Sequence, residues 1–507
     1  MAAYPAGVYL VGAGLGTRRY LTEGARRLLQ SAEVVVYDAL LSPTLLSLTP
    51  PDCALIPVGK RGGQVSCSQG EINRLLVQLG QSQRRIVRLK GGDPLIFGRA
   101  WPEMAALAAA GIPFTLEPGL SSALAAPALA GIPLTDREWG QTATILTGHD
   151  PAGLDWATLA RLETLVILMG GRNLEEIVQA LQIQGKPPET PCALLRDGGR
   201  PGQTVWLGTL ATIAEETEAG RRSPCVIVIG PVVHRRSPLT MPALPLTGQT
   251  ILITRSADQS PQFRQLLEEC GAEALEVPAL VIVPPSSWTD LDRAIADLKT
   301  FDWLILTSAN AVDFFWRRLK HCGLDSRALA GIKIAVVGQK TAAVLAQYGL
   351  QPDLIPPQFV ADSLVASFPQ PLSGQRMLFP RVESGGREIL VQSLQSQGVT
   401  VAEVPAYQST CPERLPGWVI PALAAGELDI ITFASSKTVT NFHRLLTDNL
   451  GDHSLGTLLE GVKLASIGPQ TSERCRDCFG RVDIEARDYT LEGLAAAIEA
   501  EYSRSTP

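Results

Sequence analysis

The chain is expected to be α/β throughout, in two successive regions built on largely parallel sheets. Three observations predict this. Short apolar runs, many ending in Gly or Asp, alternate with helical segments along the whole sequence, so that strand, turn and helix recur. Arg235 to Thr250, reading RRSPLTMPALPLTGQT, breaks the alternation with three prolines and little periodicity, and is the best linker candidate. The half that follows repeats itself, in order and at nearly one spacing. For 507 residues, at about 100–200 residues per domain, three or four domains are expected.

Bulk composition narrows the function classes. The chain is 45% hydrophobic and 19% charged with a net charge of −6, so no global basic field draws it to nucleic acid or to a membrane. A polyanionic substrate must then be held by local Arg, Lys or backbone N–H groups. The first basic residue is Arg18, which is the wrong charge order for a secretion signal. The uncharged stretch Pro118 to Thr135 contains Pro118, Pro127 and Pro133, which argues against a membrane span. The nine cysteines include one close pair, Cys475 and Cys478, best read as two positions on one helix. The five histidines form no ligand pattern, so no metal is expected. Reduced thiols point to the cytoplasm.

Taken in order, the first strand is Val8–Val11, followed by Gly12-Ala13-Gly14-Leu15-Gly16 and a helix. A glycine-rich turn there exposes helix N-terminal N–H groups and admits a ligand close to the backbone. A dinucleotide fingerprint would need glycine where Thr17 stands. Asp38, ending the strand Val34–Tyr37, could still mimic a ribose-binding acid, which keeps a dinucleotide-dependent oxidoreductase open as an alternative. The helical segment Glu71–Leu79 and the apolar runs Leu165–Met169 and Val226–Ile229 continue the alternation.

More specific stretches lie between these elements. They are Tyr37 to Ser42 (YDALLS), Gly59-Lys60-Arg61, Ser68 to Asn73 (SQGEIN) and Val87 to Arg99 (VRLKGGDPLIFGR). Pro118 to Ala123 (PGLSSA), Ala130 to Thr135 (AGIPLT) and Thr147-Gly148-His149 follow. In this order they closely resemble the uroporphyrinogen-III C-methyltransferase family, over roughly Val8 to Leu239. The resemblance implies a two-subdomain tetrapyrrole methylase fold over 1–240, S-adenosylmethionine as methyl donor, S-adenosylhomocysteine as its product, and a homodimer. It further implies a donor pocket lined by Gly12, Gly14, Leu15, Gly91, Gly92, Asp93, Ile96, Ser121, Ser122, Met169 and Gly198, with Asp38 as proton acceptor and Lys60 as proton donor. Methyl transfer needs the reactants held in line, water excluded and protons managed. The residues taken singly have plainer readings. Met169 can be core, Asp93 a turn residue, Asp38 a cap and Lys60 a solvated loop.

Four features depart from the family pattern. Leu15 and Thr17 stand where the family has Pro and Asp, and the basic pair Arg18-Arg19 follows. Val65 replaces a usual His, and Arg196 to Gly199 (RDGG) replaces a late ENGT-like turn. One expectation is that Arg18 and Arg19 contact substrate carboxylates. An alternative is that this half is a decayed scaffold.

In the second half, GQTILITR at Gly248 recurs as GQRMLFPR at Gly374, and EVPAL at Glu276 as EVPAY at Glu403. The stretch from Asp302 recurs at Asp429, and that from Ile334 at Leu464, so the offsets run from 126 to 130. Two similar lobes and a cleft between them follow. Small hydroxyl residues and glycines sit after strand ends, at Thr307 to Asn310, Gly338 to Thr341, Ala434 to Ser436 and Gly468 to Thr471. Strand ends meeting helix N-termini make anion sites. Arg255, Ser308, Asn310, Thr341, Arg381, Ser435 and Thr471 are the candidate substrate-binding residues.

These short motifs, with Ala406-Tyr407-Gln408, resemble the uroporphyrinogen-III synthase family from about Gly248 onward. The resemblance implies interleaved parallel-sheet lobes, roughly 248–282 with 416–500 and 283–412, after a linker at 241–250 in a synthase region of 251–507. It implies cyclisation of hydroxymethylbilane with inversion of ring D. Tyr407 is the candidate for assisting hydroxyl departure, beside the plainer reading of a tyrosine packed at a strand end. The two activities in series would give precorrin-2, methylated at two carbons, for sirohaem or cobalamin.

Overall fold

A computed structural model describes residues 4–38, 41–59, 67–200, 202–218, 220, 222–238, 244–256, 260–357, 361–384 and 388–503. Lys60 and Val65, and 241–243 of the linker, lie outside the described residues.

The first sheet contains β1 (Gly7–Gly12), β2 (Val34–Tyr37), β3 (Ala54–Pro57), β4 (Arg85–Lys90) and β5 (Phe114–Glu117), in the order β3-β2-β4-β1-β5. Every pairing is parallel. A central strand of such a sheet is covered on both faces, which is why β1 is a continuous buried run. The crossover helix Gln69–Gly80 begins with a capping box in which Ser68 and Glu71 satisfy each other's backbone N–H groups. Parallel strands end on one edge, so the loops after β1, β2, β4 and β5 converge there. Those loops are Gly12–Gly16, Asp38 onward, Gly91–Asp93 and Pro118–Ser121.

The second sheet contains β6 (Ala143–Thr147), β7 (Thr164–Leu168), β8 (Pro191–Arg196), β9 (Thr204–Thr209) and β10 (Cys225–Ile229), in the order β6-β7-β10-β8-β9. In this sheet the pairing is mixed. Only β6 and β7 run parallel, and the other pairings are antiparallel. The connection from β8 to β9 spans only residues 197–203, too short for a crossover helix but enough for a hairpin.

The second half has two sheets. The third is β12-β11-β18-β19-β20 and the fourth β13-β17-β16-β14-β15. Their strands are β11 (Thr250–Ile253), β12 (Glu273–Glu276), β13 (Val281–Val283), β14 (Trp303–Leu306), β15 (Lys333–Val336), β16 (Arg376–Val382), β17 (Thr400–Thr410), β18 (Ile430–Phe433), β19 (Lys463–Ser466) and β20 (Ile484–Glu485). The duplicated units have exchanged their opening strands. β11 and β12 pair into the sheet of β18 and β19, while β16 and β17 join β14 and β15. The lobes are therefore interleaved, in agreement with the expected fold class.

The repeat extends to single hydrogen bonds. Asp429 accepts from the Thr250 N–H at 2.7 Å, and Asp302 from that of Arg376 at 2.8 Å, each tying an exchanged strand to its host. Asp353 and Asp483 accept from Ile334 and Leu464, both at 2.8 Å. In the third sheet the first strand, β11, lies beside the third, β18, and among the parallel strands of the fourth β14 lies beside β16, so the strand order reverses there, and ligand crevices form at such switch points.

The halves also touch. The short 3-10 helix Pro43–Leu48 packs against β12 and the helix Val419–Ala424. Leu41, Leu45 and Leu46 share one buried apolar cluster with Leu275, Val277, Trp418 and Val419.

Candidate active sites

The donor-site candidates gather at the carboxyl edge of the first sheet. Gly14 and Gly92 exchange backbone hydrogen bonds at 3.2 and 2.9 Å, clipping the loop after β1 to the loop after β4. Gly119 lies so close that a Cβ there would fall 2.1 Å from the Gly92 carbonyl oxygen and 2.7 Å from Gly12 Cα. Glycine is needed here for backbone proximity rather than for freedom of rotation. Gly91 and Gly92 present the opposite situation. A Cβ on Gly92 would meet nothing within 4 Å, and one on Gly91 only the Leu41 side chain at 3.8 Å. The glycine pair thus offers an open backbone face, and Leu95 and Ile96, in the loop that follows it, are exposed. This arrangement fits an adenosyl group with an amino-acid tail.

The carboxylate of Asp93 braces the loops. It accepts from Leu95 N–H at 2.8 Å and from Gly119 N–H at 3.1 Å, so the turn reading of this residue describes what it touches. Ser121 caps the helix Ser122–Leu129, and Ser122 is its first residue. Met169, read as possible core, is 51% exposed and has a φ of 57°. A non-glycine residue held there is strained, and such strain concentrates at ligand sites. Leu15 is buried, and a Cβ on Gly199 would lie 2.4 Å from its Cδ1. Gly198 is equally tight against Ala126. The 198–199 turn therefore packs on both the first loop and the helix after Ser121.

Asp38 leads into a group that sequence reasoning missed. Arg88 Nη2 donates to Asp38 at 2.6 Å, Arg88 Nε donates to Glu103 at 3.2 Å, and Lys90 Nζ donates to the same Glu103 oxygen at 2.8 Å. Arg88 and Lys90 are each 2% exposed and Glu103 is fully buried. Two cations and two carboxylates thus neutralise one another, and the candidate proton acceptor Asp38 is one of the carboxylates. Burial pushes the Lys90 ammonium below its usual pKa, Arg88 adds to the push, and Glu103 opposes it. A signal existed in the sequence: β4 reads RIVRLK, and two inward charges in a central strand demand partners.

In the second half the candidates fall on equivalent places. Ser308 caps the helix Ala309–His321, accepting from the Ala311 N–H at 3.1 Å. Ser435 caps Ser436–Thr447 in the same way, accepting from the Thr438 N–H at 3.3 Å. Asn310 sits in the first turn of the former helix. The Tyr407 hydroxyl lies 3.1 Å from that of Ser308, and its ring stands 5.9 Å from Phe314. Tyr407 is both packed and hydrogen-bonded to the strand-end serine. Thr341 is buried and donates to the Val337 carbonyl at 2.9 Å, and Thr471 is buried at the matching position. Arg381 pairs with Glu403 on the neighbouring strand, and Arg255, just beyond β11, has its pKa lowered by burial.

Arg18 and Arg19 lie in different surroundings. Arg18 turns to the other half of the chain and donates to the Ala274 carbonyl at 3.3 Å. Arg19 is exposed, with its guanidinium 5.7 Å from the Tyr20 ring centre.

Fold and sites thus define two parts: a two-sheet unit with an open glycine face, and a two-lobed unit with capped strand ends. Known proteins divide the same way. Residues 7–214 match the family model of tetrapyrrole (corrin/porphyrin) methylases, and 261–496 that of uroporphyrinogen-III synthase HemD. The chain is 32% identical over 476 residues to the porphyrin biosynthesis protein HemD of Ruminiclostridium josui, covering 92% of this chain and 93% of that one. It is 50% identical over 229 residues to the uroporphyrinogen-III C-methyltransferase of Synechococcus elongatus, covering 45% of this chain and 94% of that one. It is 54% identical over 263 residues to the uroporphyrinogen-III synthase of the same organism, covering 52% and 98%. The chain belongs to the tetrapyrrole methylase and uroporphyrinogen-III synthase families, joined as a fusion. This membership sets aside the dinucleotide reading of the first loop.

Proposed function

We propose that the chain is a bifunctional enzyme of tetrapyrrole biosynthesis. Its synthase half cyclises hydroxymethylbilane to uroporphyrinogen III with inversion of ring D. Its methyltransferase half converts that product to precorrin-2 by methylation at C2 and C7. The observation that carries this reading is the full-length likeness to a porphyrin biosynthesis protein, with each half also matching one of the two enzyme families.

In the methyltransferase half the open Gly91–Gly92 face is the proposed donor seat, with Ile96, Met169, Ser121, Ser122 and Gly198 around it. S-adenosylmethionine, when bound there, supplies an electrophilic methyl group on a sulfonium. Asp38 accepts the proton that the macrocycle must lose, and Arg88, bonded to its carboxylate at 2.6 Å, holds it in orientation. Lys60 is assigned proton donation on the family motif. In the synthase half the substrate ionises readily, so the protein mainly has to fold it into a reactive conformer. The helix N-termini behind Ser308 and Ser435 suit its carboxylates. The Tyr407 phenol, close to Ser308, is placed to assist the departing hydroxyl.

We assign the enzyme to the cytoplasm, supported by nine free cysteines. No helix among the described residues is long and apolar enough to cross a membrane. We propose a homodimer formed through the methyltransferase half, supported by the exposed apolar side chains of Leu95, Phe97, Trp101, Leu120 and Leu124. The decisive experiment supplies hydroxymethylbilane with and without S-adenosylmethionine. The reading expects the type III macrocycle without the donor and its dimethylated form with it. Only the type III macrocycle in both would identify the first half as a scaffold, and the absence of both products would refute the whole reading.

A further inference from the structure

Two loops beside the proposed donor site are anchored on the synthase half. The first follows β1. Gly14 is paired with Gly92 as described, so this loop takes its position from the donor face. Four residues on, Arg18 Nη1 donates to the carbonyl of Ala274, on β12, at 3.3 Å. Its Nε lies 4.0 Å from Glu273 on the same strand. The second loop follows Asp38, whose carbonyl accepts from the Leu41 N–H at 3.3 Å. The next residue, Ser42, donates to Glu427 at 2.7 Å. Leu41 enters the apolar cluster shared with Leu275 and Val277. Donor loop and acceptor loop therefore rest on one body, the lobe built on the third sheet.

The Arg18 contact is poorly satisfied for a half-buried one. Arg18 Nε, Thr17 Oγ1 and Glu273 Oε1 are buried without a hydrogen-bond partner among the described residues. Burial lowers the Arg18 pKa, opposed by Glu273, and burial raises that of Glu273, opposed by Arg18. Unpaired buried polar atoms cost stability, so stability alone does not account for this contact. Thr17-Arg18-Arg19 is also where the sequence leaves the family's first-loop pattern, and Arg18 meets the fused partner.

We propose that Arg18 is a positioning residue for methyl transfer, through which the synthase lobe sets the Gly12–Gly16 loop against the Gly91–Gly92 face. This rests on the methyltransferase reading given above.

The test uses the full chain and its Arg18→Ala, Arg18→Lys, Glu273→Gln and Arg19→Ala variants. S-adenosylhomocysteine is titrated into each by calorimetry. Methyltransferase kinetics are measured with uroporphyrinogen III supplied directly, and synthase turnover on the same preparations checks folding. Arg18→Ala is expected to weaken S-adenosylhomocysteine about tenfold and to raise the donor KM by a similar factor. Synthase kcat should stay within about twofold of wild type, since Arg18 lies outside the synthase site. Arg18→Lys should recover part of the affinity, Glu273→Gln should lower it, and Arg19→Ala should match wild type. Unchanged affinity and donor KM in a folded Arg18→Ala chain would overturn the inference while leaving the methyltransferase reading intact. Failure of the wild type itself to bind S-adenosylhomocysteine would overturn both.

Discussion

Replacing Glu103 by Ala should cripple the stability of the methyltransferase half, and the structure gives the size of the effect. Glu103 is fully buried and one of its oxygens takes both Arg88 Nε, at 3.2 Å, and Lys90 Nζ, at 2.8 Å. Each hydrogen bond to a charged partner contributes about 1.5–3 kcal/mol, so two amount to roughly 3–6 kcal/mol. Breaking a buried ion pair costs about 3–5 kcal/mol, because the partner charge is stranded. Here two cations would be left with Asp38 alone. A loss of about 4 kcal/mol is therefore expected, which for a unit of about 200 residues lowers Tm by about 8–16 °C. The assay is thermal unfolding followed against pH.

The pH dependence sharpens the test. Lys90 already has a folded pKa below its ordinary 10.5, from burial first and Arg88 second, with Glu103 opposing. Between the depressed folded value and 10.5, the unfolded chain binds more protons than the native one. Stability from this group therefore rises with pH through that window. Removing Glu103 depresses the folded value further and widens the window downward. The deficit of the variant should therefore shrink as pH rises from neutrality toward 10.5. A variant within about 1 kcal/mol of wild type, or a deficit that grows with pH, would refute the account of a buried network balanced by Glu103.

Three further outcomes follow from particular contacts. Gly119→Ala drives a Cβ into the Gly92 carbonyl and Gly12 Cα, so S-adenosylhomocysteine affinity measured by calorimetry should fall by about tenfold or more, in line with a misplaced positioning element. Tyr407→Phe keeps the ring packing but loses the contact with Ser308. Stability should fall by only about 0.5–1.5 kcal/mol while synthase kcat falls markedly, and an unchanged kcat would leave the tyrosine a packing residue. Asp429→Asn keeps an acceptor for the Thr250 N–H and removes a charge whose pKa burial raises above 3.8. The wild-type group favours the fold below 3.8 and loses that contribution as pH rises through its folded value. Denaturant unfolding should therefore find the variant more stable at neutral pH, the advantage vanishing in acid.

Much of this was legible in the sequence because the informative features are local. A Gly-rich turn after a strand is written in consecutive residues, and three such turns on parallel strands must share an edge. The duplication was legible because each copy carries the same strand-turn-helix units at one spacing, and the paired anchors Asp302 and Asp429 mark it in the structure as well. The antiparallel run of the second sheet was not legible, since β8, β9 and β10 are apolar strands whose direction depends on how the chain turns between them. Lys60 lies outside the described residues.

What only the tertiary structure decided is which partner each polar group finds. Asp93 sits in a motif that resembles a donor site, yet its carboxylate reaches Leu95 and Gly119. Arg88 and Lys90 stand two residues apart on β4, and the carboxylate they share comes from Glu103, in the helix Ala100–Ala109. Arg18 meets the carbonyl of Ala274, 256 residues away. A buried charge is costly until it is paired, so the sequence by itself determined that these groups need partners. Which groups meet is set by the packing of sheets and halves whose members lie far apart along the chain, and no local pattern encodes that.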